Sequence, residues 1–353
     1  MDKLDTFFDL ANRPLSLYRF KLPFKYKLNF KGHHITEREG LWLVTRNQQQ
    51  QMLIGEICPL PGFSVETLDE CQQQLLSIAS CDEQQYQFNN SEFTSHLLPS
   101  VSFALFCLQQ QLPWQSSSYA TEHLTNNLNP TSILPSIPLL QGSTIAVVER
   151  YLQLNCPDRI KLKVARNGID EDVNLIRQLV NINPKLQCRL DANQQWTSSQ
   201  YTHFLMKIDT LCIDYIEEPT SSSVDNISIS EKFNISIALD ESLLSEATLP
   251  KHKNIKAIIL KPTLIGYPAR FNMLMAHAKS ENLQVSISSS FESPIAINQL
   301  HHLAQQWQQR YQVEVSLGLD TLYVYADAVL HKSEQLNGQV NPFLAEAECL
   351  WHR

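Results

Sequence analysis

Five charged residues stand at the ends of short apolar segments in the middle of the chain. They are of the types that bind metal ions and transfer protons: Lys163, Asp191, Glu217, Asp240 and Lys261. Successive members are 28, 26, 23 and 21 residues apart. Each interval fits one strand, one helix and two short loops. The spacing therefore predicts that one βα unit delivers each charged group to a common edge of a parallel sheet.

Three consecutive units carry carboxylates, and this arrangement predicts a metal site. The candidates are Asp191, then Glu217 or Glu218, then Asp240 or Glu241. Carboxylates gathered at one edge repel one another unless a cation is bound among them. Ligation by oxygen alone, without His or Cys, favours a hard ion, Mg²⁺ first and Mn²⁺ second. Isolated acids in solvated loops are the alternative, which three successive strand ends make less favourable.

Two lysines flank the carboxylates and predict a type of reaction. Lys163 precedes them and Lys261 follows them, so in a barrel the two would face the metal from opposite sides. A nearby metal ion, the neighbouring Lys161 and partial burial would lower the pKa of Lys163 and let it act as a base. A metal ion and a lysine base suit abstraction of a proton next to a carboxylate, because the metal stabilises the second negative charge of the enediolate. Lys261 would stabilise the intermediate or serve as a second acid or base.

Further polar residues near these strand ends are candidate substrate contacts. Arg189 and Asn193 share a strand face with Asp191. Arg189 would shift the pKa of the lysine base or neutralise the charge of the carboxylates. The segments SISSSFES (286 to 293) and GLDT (318 to 321) offer hydroxyl and backbone amide groups to a substrate carboxylate, with an ordinary turn and a strand cap as the alternatives. The candidate substrate-binding residues are Lys161, Arg189, Asn193, Ser288, Ser289 and Gly318, with Pro61 and Gly62 of a rigid PLPGFS loop.

The segments that must position these residues alternate between strand and helix patterns from residue 138 to about residue 320. Amphipathic segments such as 171–182 and 294–309 lie between apolar runs. Eight strands alternating with helices predict a parallel barrel whose functional groups lie at the C-terminal ends of the strands. An open, doubly wound sheet is the alternative, and the absence of a GxGxxG turn after the first strand argues against its dinucleotide-binding form.

The N-terminal part has a different pattern. Short runs of alternating apolar and polar residues over 14–57 predict an antiparallel meander. A helix capped by Ser64 and a second helix after Pro99 are expected to follow. A stretch rich in Ser, Asn, Thr and Pro marks a domain boundary at about 115–135. The segment after Leu330 is expected to pack back on the N-terminal domain.

Composition argues against several classes of function. The chain has 43% apolar and 18% charged residues, as globular proteins do, and its net charge of -8 without a basic stripe argues against nucleic acid and anionic membranes as partners. The start of the chain is acidic where a signal peptide is basic. The eight cysteines lack metal-site spacing and are expected to be reduced, mostly buried thiols in a cytoplasmic protein. The expected partner is a small-molecule carboxylate substrate; the oligomeric state stays open, and a monomer is compatible with the sequence.

Five short charged motifs occur in the order that is found in the enolase superfamily. They are KLK (161 to 163), DAN (191 to 193), EEP (217 to 219), DES (240 to 242) and LKP (260 to 262). The chain resembles the muconate-lactonising subgroup of that superfamily. The resemblance implies a modified (β/α)7β TIM barrel, residues 116–329, with an α+β capping domain, residues 1–115 completed by about 330–353. It also implies one Mg²⁺, the metal ligands Asp191, Glu217 and Asp240, and the catalytic residues Lys163 and Lys261.

Within that superfamily the chain resembles the dehydratases that form 2-succinylbenzoate in menaquinone biosynthesis. The segments that carry this resemblance are PLPGFS (59 to 64), RLDAN (189 to 193), KPTLIG (261 to 266), SSSFES (288 to 293) and GLDT (318 to 321). The resemblance implies that Lys163 removes the α-proton of 2-succinyl-6-hydroxy-2,4-cyclohexadiene-1-carboxylate and then protonates the leaving hydroxyl. Lys261 would lie against the ring of the intermediate in a cation–π contact.

The sequence departs from the family pattern at two positions, and alternatives remain. Ala165 stands where the family often has glycine, and Cys58 replaces a usual serine; neither change removes a catalytic group. A mobile capping loop is expected around 33–40. The nearest alternative is an N-acylamino acid racemase or dipeptide epimerase on the same scaffold, because two opposed lysines serve that reaction equally well. A non-catalytic relative would be expected to have lost a lysine or a carboxylate, and this chain has all five.

Overall fold

The computed structural model describes residues 13–30, 32–80, 96–114, 134–245, 249–266, 268–336 and 341–352. Most of the domain boundary expected at 115–135 lies outside the described residues. Within them, no helix is both long and apolar enough to cross a membrane.

The N-terminal part forms an antiparallel sheet of four strands in the order β12-β1-β2-β3. The strands are β1 (Ser16–Phe30), β2 (His33–Arg46), β3 (Met52–Ile57) and, from the other end of the chain, β12 (Glu348–His352). The predicted meander is confirmed. The loop expected around 33–40 is wrong, because this segment pairs with β1 and extends β2 to the tip of a long hairpin.

Two helices cover one face of this sheet, α1 (Leu68–Ser80) and α2 (Pro99–Gln109). The predicted cap at Ser64 is wrong by three residues. Thr67 and Glu70 bond each other's backbone amides at 3.3 and 2.7 Å and so form a capping box, whereas the Ser64 hydroxyl accepts a bond from Leu60 N in the preceding turn. The helix predicted after Pro99 is confirmed, with proline in its first turn.

The rest of the chain forms a parallel sheet of eight strands. The strands are β4 (Leu139–Leu140), β5 (Arg159–Lys163), β6 (Gln187–Asp191), β7 (Ile213–Glu217), β8 (Ile237–Leu239), β9 (Ile255–Leu260), β10 (Gln284–Ser288) and β11 (Val315–Gly318). The segment just before the first strand meets the last strand through a parallel bridge between Ser136 and Leu317, so the sheet curves into a barrel. The predicted barrel is confirmed, and the open sheet is wrong.

Helices follow the strands, and most of the longer ones pack on the outside of the barrel. They are α3 (Thr144–Gln153), α4 (Ile169–Ile182), α5 (Ser198–Lys207), α6 (Ser223–Phe233), α7 (Ser242–Ser245), α8 (Pro262–Ile265), α9 (Pro268–Ser280), α10 (Pro294–Tyr311) and α11 (Asp327–Ser333), with single 3-10 turns at Thr210–Cys212 and Leu322–Val324.

Strand alternation decides which side chains enter the barrel. On β5, Ile160 and Leu162 are fully buried in the apolar core shared with α3 and α4. The intervening Lys161 and Lys163 therefore point to the interior, because successive side chains of a strand face opposite sides. The same alternation on β6 and β7 turns Asp191 and Glu217 inward.

A buried polar contact joins the N-terminal sheet to the barrel. Glu56 on β3 accepts hydrogen bonds from Trp42 Nε1 at 2.9 Å and from the backbone N of Ser293 at 2.9 Å. Burial raises the pKa of Glu56. This carboxyl thereby fixes the start of α10, and with it the loop before α10, against the N-terminal sheet.

Candidate active site

A cavity of about 450 Å³ opens at the C-terminal ends of the barrel strands. It lies between the barrel and the N-terminal domain, since the hairpin tip of β1 and β2 and the loop after β3 contribute to its wall. Seven of the residues expected at the site line it: Lys161, Lys163, Asn193, Lys261, Ser288, Ser289 and Gly318.

Register across three neighbouring strands places one lysine beside two carboxylates. Lys163 pairs with Asp191, and Asp191 pairs with Glu217, so all three stand at the same level of the barrel. Lys163 Nζ donates to Asp191 Oδ2 and to Asn193 Oδ1, both at 2.6 Å. Lys161, one pleat lower, lies 2.8 Å from Asp191 Oδ2 and donates to Glu217 Oε2 at 2.7 Å. The four charged side chains, Lys161, Lys163, Asp191 and Glu217, form one continuous ion-pair network.

The next two strands add Asp240 and Lys261, each of which follows directly on its strand. Lys261 Nζ donates to Asp240 Oδ2. The two acids that the motifs left open have different environments. Glu218 accepts bonds from the backbone N of Asp240 at 2.8 Å and of Ser242 at 2.9 Å, so it holds the loop that carries Asp240. Glu217, in contrast, belongs to the ion-pair network.

Burial and neighbouring charges act in opposite directions on this network. Burial, with the charges of Lys161 and Lys261, lowers the pKa of Lys163. For Lys161 and Lys261, burial is outweighed by the surrounding carboxylates, which raise the pKa of both. Burial and the negative charges of Asp191 and Asp240 raise the pKa of Glu217. The two lysines that flank the carboxylates are thus electrostatically unlike.

The carboxylates supply the oxygen donors that a hard divalent ion prefers, but they are turned toward lysines. Among the described residues, no group of three or more His, Cys, Asp or Glu side chains is arranged to hold a metal ion. Two observations fit a cation in this place. Glu241 Oε2 is buried without a hydrogen-bond partner in the described structure, and Glu217 is repelled by Asp191 and Asp240. A divalent cation would relieve both, once the carboxylates turned from the ammonium groups.

The loop after β10 is held from below by Glu292. This buried carboxylate accepts bonds from Ser289 Oγ at 2.7 Å and from the backbone N of Ser290 at 2.6 Å. The Ser289 hydroxyl therefore donates its hydrogen bond within the protein. Ser290 Oγ, in contrast, is buried at the cavity wall without a hydrogen-bond partner in the described structure. A side chain at Gly318 would approach Ser288 Oγ to 3.3 Å and crowd this wall.

The loop after β3 contributes different residues than the sequence predicts. Pro61 and Gly62 do not line the cavity, whereas their neighbours Leu60 and Phe63 do. Gly62 has a φ of 82°, so its role is to form the turn. Lys261 Nζ lies 5.6 Å from the centroid of the Phe63 ring, a cation–π contact with the protein itself.

Arg189 is also placed differently from the expectation that it contacts substrate. It faces inward as predicted, but it lies one pleat below Asp191, opposite Lys161 and Tyr215. Its guanidinium donates to Asp214 at 2.9 Å and to Ser316 Oγ at 2.8 Å and does not reach the cavity. Strand alternation gives the direction of a side chain but not its depth in the barrel.

Residues that sequence reasoning missed also line the cavity. Gln141 follows β4, and Arg166 follows β5 three positions after Lys163. Asn29 and Gly32 enter from the hairpin of the N-terminal sheet. The positions of Gln141 and Arg166 just beyond the ends of barrel strands are a signal that could have found them. No local pattern marks Asn29 and Gly32, because long-range contacts place them.

Two family models match the chain. Residues 12–112 match "MenC, N-terminal domain", and residues 144–342 match "Enolase C-terminal domain-like". The o-succinylbenzoate synthase of Haemophilus influenzae is 30% identical over 323 residues, which are 89% of this chain and 91% of that protein. The chain belongs to the o-succinylbenzoate synthase family. It is therefore an enzyme of the enolase superfamily, and the resemblance stated from the motifs is confirmed.

Solved structures share the fold of this o-succinylbenzoate synthase family member at low sequence identity. The o-succinylbenzoate synthase from Thermosynechococcus elongatus BP-1, which has Mg in its active site, matches with a TM-score of 0.64 and 20% identity over 91% of this chain and 99% of that chain. The L-Ala-D/L-Glu epimerase from Bacillus subtilis matches with a TM-score of 0.67 and 16% identity over 88% and 90%. Fold likeness alone therefore does not separate dehydratase from epimerase.

Proposed function

We propose that this enzyme is a lyase that dehydrates 2-succinyl-6-hydroxy-2,4-cyclohexadiene-1-carboxylate to 2-succinylbenzoate in menaquinone biosynthesis, in the cytoplasm. The observation that carries the proposal is the placing of Lys163 and Lys261 in one cavity, on either side of Asp191, Glu217 and Asp240. Membership of the o-succinylbenzoate synthase family supports the choice of substrate.

The three carboxylates are the proposed ligands of a divalent ion, Mg²⁺ in preference to Mn²⁺. Asp191, Glu217 and Asp240 supply only oxygen, as hard ions require. When bound, the ion would polarise the substrate carboxylate and make the neighbouring carbon acidic. Glu218 supports this set from outside, because it fixes the backbone of Asp240.

Lys163 is the proposed base. Asp191 and Asn193 hold its Nζ at the cavity wall, where it takes the proton from the ring carbon that bears the carboxylate. It returns that proton to the hydroxyl that leaves the neighbouring ring carbon. Water departs, a third ring double bond forms, and the aromatic ring drives the reaction forward. One group serves as base and then as acid.

Lys261 is proposed to face the other side of the ring. Asp240 orients its ammonium group, and Phe63 borders it on the cavity side. A cation in this position stabilises electron density that accumulates in the ring after proton removal. Ser288, Ser289 and Gly318 would lie along the substrate, whose bulk requires the small residue at Gly318.

The competing activity is racemisation of an N-acylamino acid or epimerisation of a dipeptide, which also uses two opposed lysines. The deciding experiment incubates the purified protein and Mg²⁺ with the cyclohexadiene substrate and, in parallel, with N-succinyl amino acids. Ultraviolet absorbance follows the first reaction and optical rotation the second. We expect rapid aromatisation. Racemisation without aromatisation would overturn the proposal. A Lys185→Ala variant, changed at an exposed lysine, serves as the matched control and should behave as the unaltered enzyme.

A further inference from the structure

Arg166 is a cation of the cavity wall to which the preceding mechanism gives no role. It lies on the loop between β5 and α4, three residues after Lys163. The loop is fixed just before it, because the backbone N of Ala165 donates to Asp172 Oδ2 at 2.8 Å. The Arg166 side chain therefore extends from the same strand end as Lys163, the proposed base.

The partners of Arg166 differ from those of the lysines in the same wall. Lys161, Lys163 and Lys261 each form an ion pair with a carboxylate. Arg166 forms no ion pair with any residue that the structure describes; its hydrogen bond there is to the neutral Gln141 Oε1, at 3.5 Å. A guanidinium has several donors in a planar fork that matches a carboxylate. Those donors remain available to a ligand.

The other cations of the cavity show what such a ligand would be. Lys161, Lys163 and Lys261 line the cavity and are each paired with a carboxylate of the protein. The proposed substrate carries two carboxylates. One of them would lie at the bound metal ion, and Arg166 is the cavity-lining cation that has no carboxylate partner among the described residues and can bind the other.

We propose that Arg166 binds the carboxylate at the end of the substrate's succinyl tail and thereby selects dianionic substrates. This inference rests on the proposed function, which names the succinyl compound. Gln141 Oε1 orients the guanidinium from the side of β4. The ring and its own carboxylate then lie toward the ion-pair network, while the tail extends toward β4.

The test compares the binding of two ligands by calorimetry in the presence of Mg²⁺. The first is the product, 2-succinylbenzoate. The second is 2-butanoylbenzoate, in which a methyl group replaces the tail carboxylate. In Arg166→Gln we expect the Kd of 2-succinylbenzoate to rise about 10-fold or more, the size expected for loss of a charged hydrogen bond. The Kd of 2-butanoylbenzoate should stay the same. Arg166→Lys should recover part of the affinity for the product.

Arg159→Gln is the matched control, because this exposed arginine begins the same strand at the opposite end of the barrel. It should leave both affinities unchanged. With the cyclohexadiene substrate, Arg166→Gln should raise KM more than it lowers kcat. Equal loss of affinity for both ligands, or no loss for either, overturns the role of Arg166. Turnover of the cyclohexadiene substrate by the unaltered enzyme is measured separately. If that turnover is seen, the proposed function stands whatever the role of Arg166. If it is not seen, the proposed function fails.

Discussion

The barrel interior has charged side chains at both ends, and the two groups are built differently. At the C-terminal end, three lysines line a cavity and are paired with carboxylates behind them, and Glu241 Oε2 has no hydrogen-bond partner in the described structure. At the other end, Asp214 accepts bonds from Arg189 at 2.9 Å and from Lys256 at 2.5 Å. Arg189 further donates to Ser316 and stacks on Tyr215, with its guanidinium carbon 4.9 Å from the ring centroid.

The two groups differ in a way that separates residues able to take part in a reaction from residues that support the fold. The group around Asp214, called the lower group, has its charges paired within the protein and does not line the cavity, so it serves stability. The group of lysines and carboxylates at the C-terminal end, called the upper group, has an oxygen without a partner in the described structure and carboxylates that repel one another. Its lysines line a cavity large enough for a small molecule. Active sites of parallel barrels lie at this C-terminal end. Unsatisfied charge next to open space is the feature that marks function.

The largest predicted effect is on the upper group. Lys163→Ala removes the proposed base, and we expect kcat to fall by about 10³-fold or more, since general acid–base groups contribute about 10² to 10⁴. The variant should remain folded, because Asp191 keeps its ion pair with Lys161. Steady-state absorbance and urea unfolding measure the two. Lys185→Ala is the control; near-normal turnover in Lys163→Ala would remove this residue from the base role.

The next effect concerns the lower group and stability. Arg189→Met leaves Asp214 with Lys256 as its remaining cation and removes the bond to Ser316. We expect the unfolding free energy to drop by about 3 kcal/mol, the cost of breaking a buried ion pair on one side. The rate per folded molecule should stay the same. Arg159→Met, at an exposed position, is the control. A rise in KM without loss of stability would return Arg189 to the substrate site.

Metal binding should sharpen the contrast between the two groups. At a Mg²⁺ concentration 100 times its Kd, one site stabilises the folded state by about 2.7 kcal/mol. We expect this gain, seen as a higher Tm, in the unaltered enzyme and in Arg189→Met, but not in Glu217→Gln. Addition of a chelator should reverse it. A gain that survives in Glu217→Gln would place the metal elsewhere.

The smallest effect lies in the loop above the upper group. Ala165 has a φ of 64°, a left-handed conformation that favours glycine. Ala165→Gly should raise the unfolding free energy by about 0.5 kcal/mol after the added flexibility of the unfolded chain is counted. Ala146→Gly, at an exposed position of helix α3, should lower it by about 1 kcal/mol. Urea unfolding compares the two, and a loss at both positions would contradict the strain at Ala165.

The sequence predicts this site well where residues occupy strand ends. The spacing of charged residues predicted that Lys163, Asp191 and Glu217 reach one edge of the sheet, and their strand register agrees with it. Lys261 lines the same cavity as Lys163. The sequence did not predict that Arg189 lies too far below the strand ends to reach the cavity. Strand alternation gives the face on which a side chain lies but not its distance from the cavity.

Contacts between distant segments account for what the sequence did not show. Asn29 and Gly32 reach the cavity because the N-terminal sheet approaches it in three dimensions. The start of α1 at Thr67 is different, because the Thr67 and Glu70 capping box is a local pattern that can be read from the sequence. The boundary at about 115–135 lies mostly outside the described residues and stays a prediction.

The most direct test of the division of labour is the rate of 2-succinylbenzoate formation in two matched variants, Asp191→Asn and Asp214→Asn. Both remove one buried charge from the barrel interior, one at each end. We expect Asp191→Asn to lose turnover by about 10²-fold or more, while folded Asp214→Asn should keep the rate of the unaltered enzyme. Equal rates in the two variants, or loss of turnover in folded Asp214→Asn alone, would contradict this division of labour.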